Sequence, residues 1–408
     1  MEKNNRIFIL IFLGMLTAFG PFVTDMYLPT LPSMAEYFGT SASMVQLGLS
    51  SSMAGLAIGQ LIFGPISDST GRKPPLVTAL VLFLAATAGC IYAADIKLFI
   101  AMRLVQGIAG AGGIVIARSI ASDIYTGRDL AAMLAVIGAI NGIAPVTAPV
   151  IGGALAGGTG WHGIFWCLFG IGAMLLGGTA HFRETHQVKP ADSISEGRTK
   201  GASRKDSPVI KGFTALSRNS LYMCCILQFA FSQAVLFTNI SSSPFIMQEH
   251  YGFSPMMFSI CFGANALAIG AAAALSLKFR TMEQAFLTGS VGMTAVSVLL
   301  CAAMCLGCSF WLYEILLLCL LAMLGLTFTS SNTLAMDAGR EHAGAASALL
   351  GASGFAAGGL FSPLAGIGDI MISSGILFVA GSVLSSVFAI AAVRMHTTAG
   401  DSLSRVKN

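Results

Sequence analysis

Two ionisable side chains stand where apolar sequence should exclude them. Asp25, in Phe22-Val-Thr-Asp25-Met-Tyr27-Leu-Pro29-Thr-Leu-Pro32, follows an uncharged run over residues 7–23. Arg103 opens Arg103-Leu-Val-Gln106-Gly107-Ile-Ala-Gly110, six residues after Lys97. A charge inside an apolar segment is costly, so it usually faces a cavity or a partner and has a function. A proton on Asp25 would cancel its charge and change its bond to any partner. Competition between that proton and a second ligand is the simplest chemistry such an acid can run. Two plainer readings compete with it: Asp25 as an interfacial carboxylate at a helix end, and Arg103 as a structural lock between helices.

The elements that must position these residues are membrane-spanning helices. Of 408 residues, 55% are hydrophobic and 10% charged, and 47 are glycine, which suits closely packed helices in a bilayer. Turn signals predict twelve spans near 7–36, 43–67, 75–94, 97–119, 130–157, 161–181, 219–248, 255–277, 284–307, 310–335, 343–368 and 371–394, each near the length a bilayer needs. The first span follows Lys3 and Arg6 as a signal peptide would, but no small-x-small cleavage site precedes the next polar turn, so a retained helix is expected. A cytoplasmic N-terminus places the basic turns at 72–73 and 278–280 and the stretch 183–218 on the cytoplasmic side, with Lys97 outside. Both termini of this multi-pass protein are then cytoplasmic.

At 1.5 Å per residue, Asp25 lies about 27 Å along the first span and Arg103 about 9 Å along an oppositely directed fourth. In a hydrocarbon core about 30 Å thick the two share a level in the outer half, where they can pair directly or through water. The expected domains are an N-terminal six-helix bundle over 1–182, a basic cytoplasmic linker over 183–217, a C-terminal bundle over 218–395 and a cytoplasmic tail over 396–408. Glu36-Tyr-Phe-Gly39-Thr-Ser41 after the first span recurs as Glu249-His-Tyr-Gly252-Phe-Ser254 after the seventh, the mark of a repeated half. The second half has Thr238 where the first has Asp25, and Glu314 is read as interfacial at the start of the tenth span.

Further candidates fall into three groups. The turn Gly64-Pro-Ile-Ser-Asp68-Ser-Thr-Gly71-Arg72-Lys73 permits a tight reversal and places an acid and two bases at one membrane edge. Such charges can form a latch that holds one conformation, or simply obey the positive-inside rule. Helix 130–157 carries Asn141-Gly-Ile-Ala144-Pro145-Val-Thr-Ala148-Pro149-Val-Ile-Gly152-Gly153, where Pro145 and Pro149 remove backbone donors and bend the helix while small residues allow close packing. Among neutral polar residues, Tyr27, Gln106, Asn141, Gln228, Gln233 and Asn332 are the candidates for lining a substrate cavity, against the alternative of hydrogen bonds between helices. The nine cysteines sit in apolar runs without metal-ligand spacing, so they read as small buried hydrophobes and no metal site is expected. A formal charge of +4 is too small to indicate nucleic acid. No histidine lies within a central span and no phosphate-binding loop appears, so neither hydrolase chemistry nor ATP drives this chain.

The stretch 64–73 resembles the G-x-x-x-D-x-x-G-R-K signature of the major facilitator superfamily. Arg103-Leu-Val-Gln106-Gly107-Ile-Ala-Gly110 is similar to the R-x-x-Q-G-x-x-G pattern of its proton-coupled drug antiporters. Thr24-Asp25-Met-Tyr27-Leu-Pro29 resembles the first helix of the bicyclomycin/chloramphenicol resistance (Bcr/CflA) branch. Residues 141–153 resemble the antiporter motif g-x-x-x-G-P-x-x-G-G, with Ala144 and Ala148 where glycine is usual. The resemblance implies an all-α integral membrane fold of twelve transmembrane helices in two pseudo-symmetric six-helix bundles. It implies that Arg72 pairs with Asp123, beside Arg118 at the end of the fourth span. It also implies a monomeric antiporter, without cofactor, that exports small amphipathic drugs in exchange for protons through alternating access. The alternative is a dedicated proton-coupled transporter of one metabolite, such as a nucleoside, sugar or metallophore.

Overall fold

The computed structural model describes residues 6–125, 127–185 and 208–407, and among these it contains helices and turns but no strand. The helices are α1 (Arg6–Asp25), α2 (Leu31–Tyr37), α3 (Ala42–Thr70), α4 (Lys73–Ile91), α5 (Ile96–Ile124), α6 (Gly127–His181), α7 (Pro208–Arg218), α8 (Ser220–Phe245), α9 (Pro255–Leu275), α10 (Met282–Cys305), α11 (Phe310–Ala338), α12 (Ala343–Phe361) and α13 (Ile370–Lys407). Eleven segments of the described residues are long and apolar enough to cross a membrane. One of them is part of α6, where Gly160 (φ 62°, ψ −164°) separates two helices that the sequence predicts as distinct spans.

Two departures from the expected elements follow from local chemistry. The first span is not one continuous helix: α1 stops at Asp25, a short 3-10 turn covers Leu28–Thr30, and α2 resumes at Leu31. Pro29 and Pro32 lack backbone donors and fit only the first turn of a new helix, which is where they sit. The end of the expected linker is also helical, since Pro208 starts α7, whose Leu216 is buried with Tyr222, Cys225 and Phe286. The basic segment 186–207 lies outside the described residues.

The chain divides into two compact units, Met1–Ile194 with Ser243–Ala264, and Ser195–Ser242 with Asn265–Asn408. In the first unit α3 and α5 pack backbone to backbone. A Cβ on Gly55 would lie 2.3 Å from Leu104 O, one on Gly59 2.3 Å from Ile108 O, and one on Gly107 2.1 Å from Ser52 O. Small residues permit this approach, and dispersion then holds the helices without help from the hydrophobic effect, which is absent within lipid. In the second unit Gly325 on α11 meets Ile269 O on α9 in the same way, at 2.4 Å from a built Cβ.

Candidate functional site

Asp25 is the last residue of α1 and is 6% exposed. The break after it is held by α6, where a Cβ on Gly152 would lie 1.7 Å from Met26 O. No side chain fits there, so a glycine is required for the approach. The adjacent Gly153 faces Ser259 Oγ and Pro255 O of α9, within the same unit. Pro149 is buried and Pro145 half-buried on that face of α6. The side chain of Asn141 lies outside the described residues.

Arg103, on α5, is completely buried, and its guanidinium reaches Val23, two residues before Asp25. Its partners are neutral. Nη2 donates to Val23 O at 2.9 Å and Nη1 to Gln106 Oε1 at 2.5 Å, while the guanidinium lies 4.3 Å from the Tyr27 ring centroid and 5.7 Å from that of Phe165. Among the described residues Asp25 and Arg103 form no ion pair. Of the arrangements the sequence allows, direct pairing is absent; the cation is held in a cradle of carbonyl, amide and aromatic faces, which stabilise it without a counter-charge. Gln106 serves this cradle on both sides, because its Nε2 donates to Thr87 Oγ1 at 2.7 Å. It positions Arg103, and both of its amide atoms are engaged in that task. Tyr27 Oη and Arg103 Nε are buried without hydrogen-bond partners. Beside Asp25, these two atoms are unused polar capacity.

The second cluster lies at the α3–α4 turn. Gly71 has φ 93°, a region that favours glycine, and a Cβ there would lie 2.9 Å from Glu184 Oε2. Arg72 is 5% exposed; Nε and Nη2 donate to the two oxygens of Asp123 at 2.7 and 3.1 Å, a bidentate fork. Its Nη1 donates to Asp68 Oδ1 at 2.5 Å and to Ser67 Oγ at 2.9 Å. The hydrogen bonds it donates to Asp123, opposed by burial and aided by Asp68, hold the Arg72 guanidinium pKa above even its ordinary value. Glu184 accepts the backbone N–H of Arg72 at 2.9 Å and of Lys73 at 2.8 Å, which satisfies donors at the start of α4. Lys73 Nζ donates to Phe182 O at 2.9 Å. The structure thus brings Asp68, Gly71, Arg72, Lys73 and Asp123 together, whereas Gly64 has room for a side chain and Arg118 is exposed on α5. Glu184 and Ser67 are members that the sequence did not single out; Glu184 lies in a polar stretch after the last apolar residue and carries no spacing signal.

A family model described as Major Facilitator Superfamily matches residues 8–363. The chain belongs to the major facilitator superfamily. It is 35% identical over 379 residues to an uncharacterized MFS-type transporter, YdgK, of Bacillus subtilis, covering 90% of each chain. It is 27% identical over 405 residues to a bicyclomycin resistance protein homolog of Haemophilus influenzae, covering 95% of this chain and 96% of that one. It is 28% identical over 258 residues to the multidrug resistance protein MdtL of Escherichia coli, a match that spans 61% of that protein. These relatives are consistent with the Bcr/CflA branch. In fold it is similar to a bacterial homolog of the human lysosomal transporter Spinster (TM-score 0.74, 18% identity, 96% of each chain). It is similar also to the nucleoside transporter NupG (TM-score 0.72, 13% identity, 95% of this chain and 99% of that one). As a member of this superfamily the chain is a membrane transporter and not an enzyme.

In this transporter's second unit the polar candidates separate. Gln228 is fully buried and surrounded: Nε2 lies 3.0, 3.1 and 3.1 Å from the Ser232, Ser290 and Ser385 hydroxyls, among which its two N–H bonds find acceptors, and Oε1 accepts from Ser331 at 2.5 Å. It ties α8, α10, α11 and α13 together rather than facing a cavity. Asn332 donates to Phe328 O of its own helix at 2.7 Å. Gln233 is half-buried and its Oε1 has no hydrogen-bond partner, so it retains acceptor capacity for a ligand.

Proposed function

We propose that this superfamily member is a proton-coupled antiporter that exports small amphipathic drug-like compounds, with Asp25 as the site where proton and substrate compete. The observation that carries the reading is a carboxylate, buried at a helix break, next to a buried arginine that does not neutralise it. A fixed ion pair would hold Asp25 charged. A neighbour already served by Val23 O, Gln106 and Tyr27 leaves the acid able to gain and lose a proton without dismantling the fold. Tyr27 and Arg103, buried against each other, offer a substrate a hydroxyl and a guanidinium face. The names of the bicyclomycin-resistance and multidrug-resistance relatives support the substrate class.

Alternating access would then swing bundles 1–182 and 218–395 about the site, in a monomer seated in a bacterial inner membrane with both termini in the cytoplasm. The α3–α4 turn acts as the gate on the cytoplasmic edge: bonds from Arg72 to Asp123 and Asp68 hold one state and part in another. A membrane potential supplies about 2.3 kcal/mol per charge per 100 mV to drive the cycle.

The test is proton release from detergent-purified protein in weak buffer on addition of chloramphenicol or ethidium. Wild type is expected to release protons on binding, and Asp25→Asn to bind with clearly fewer released. An Asp25→Asn protein that releases as many protons as wild type removes Asp25 from the coupling role. Release on one metabolite and no drug would favour the dedicated-transporter reading.

A further inference from the structure

A second carboxylate is buried in the other unit. Glu314, in the second turn of α11, is 7% exposed, so it is not the interfacial side chain that its place near the start of a span suggests. Its carboxyl lies beside the carboxamide of Asn265 on α9, which is 2% exposed. The Asn265 amide N–H lies against that carboxyl, while Glu314 Oε2 and Asn265 Oδ1 are buried acceptors without hydrogen-bond partners. Buried polar groups are almost always satisfied, and leaving one unmet costs about 1–3 kcal/mol, more for a charge. Two such acceptors on two helices at one point describe a site whose occupant is a small polar species that donates or is cationic. Nearby elements carry titratable groups: Cys261 on α9, Cys301 and Cys305 on α10, Asp369 at the head of α13, and Tyr313 and Cys319 on α11 itself. The Glu314 carboxyl has the Asn265 carboxamide as a polar neighbour, and among the described residues no cation forms an ion pair with it.

From this geometry we infer that Glu314 and Asn265 form a second site in the transporter, one that takes a single positive charge. A carboxylate oxygen and an amide oxygen present two acceptors to a cation, and the amide N–H can donate to the carboxylate when the cation leaves. The charge arrives either as a proton or as the ammonium or phosphonium group of a cationic substrate. The site is independent of Asp25, whose positional counterpart in the second half is the neutral Thr238. It gives the second unit an ionisable group of its own, and it deepens the antiport reading on which it rests.

The experiment compares wild type with Glu314→Gln, a shape-conserving change, and with Asn265→Leu as a second variant. The probes are tetraphenylphosphonium, a permanent cation, and chloramphenicol, which is neutral. If the occupant is the substrate's charge, Glu314→Gln weakens tetraphenylphosphonium binding at least tenfold and leaves chloramphenicol binding within twofold. If the occupant is a proton, the protons released per chloramphenicol fall while both affinities stay close to wild type. Independently of transport, dicyclohexylcarbodiimide, an apolar reagent for protonated carboxyls, should label Glu314 in the wild-type protein, with labelling reduced by raised pH or by tetraphenylphosphonium. An unlabelled Glu314, together with wild-type affinities and proton counts in Glu314→Gln, overturns the site and leaves the role of Asp25 standing. Absent proton release from wild type would instead remove the antiport reading, and the labelling of Glu314 would still decide this one.

Discussion

Arg72 and Arg103 are both buried in the first unit, yet they are held in opposite ways. Arg72 is met by two carboxylates, with Asp123 in a bidentate fork and Asp68 one turn away along the chain. Arg103 meets only a carbonyl, an amide and two aromatic faces. An arginine neutralised by acids stores its stability in bonds that can part together when elements move, which suits a gate. An arginine solvated by neutral dipoles leaves a nearby acid without a fixed counter-charge. In the mechanism proposed above, the first site does the conformational job and the second the proton job.

The comparison breaks most visibly at Arg103. Arg103→Ala deletes two charge-assisted hydrogen bonds, each worth about 1.5–3 kcal/mol, and leaves Val23 O and Gln106 unpaired in an apolar core. Thermal unfolding in detergent should shift down by many degrees and drug efflux should fall to background. Arg103→Lys should fail as well, because an ammonium cannot span both acceptors and lie flat on Tyr27. An active lysine variant would show that charge alone matters and that the cradle does not.

A smaller effect is expected at the gate. Arg72→Ala should cut turnover about tenfold at near-normal expression, and in a double-mutant cycle with Asp123→Asn the losses should be non-additive by about 0.5–3 kcal/mol. Because Asp123 holds the Arg72 pKa above its ordinary value, its stabilising charge is present throughout the range below that value. It is lost only as pH rises through the raised one. Deprotonation of Arg72 therefore does not open the gate near neutrality, and Arg72→Lys should leave the pH profile of transport unchanged while lowering its rate. Additive losses in the cycle would separate Arg72 from Asp123. The smallest effect is expected from Asn332→Ala, which removes one bond within a single helix. Efflux assays should find it within twofold of wild type, and a large loss would return Asn332 to the list of substrate ligands.

Helix number, apolar character and the motif positions were legible along the chain, because membrane insertion demands runs of about 20 apolar residues and glycine and proline mark the turns. The approach of Arg103 to the residues just before Asp25 was legible too, since a rise of 1.5 Å per residue converts numbering into depth. Side-chain direction was not. Gln106 and Gln228 are the same residue type as Gln233, but only the neighbouring helices decide that the first two are spent on internal bonds. Glu184 joins the gate from more than a hundred residues away, a distance over which no local pattern carries information.

By itself, then, the sequence determined the class of solvent, the family and the inventory of costly charges. Each follows from composition and from short-range spacing, which the chain carries with it. Tertiary structure decided which charges are neutralised. It gave Arg72 its two acids, gave Arg103 a neutral cradle in place of Asp25, and buried Glu314 against Asn265 rather than at the interface. The physical reason is that a buried charge takes its energy from whatever lies within a few ångströms, and those neighbours come from helices distant along the chain.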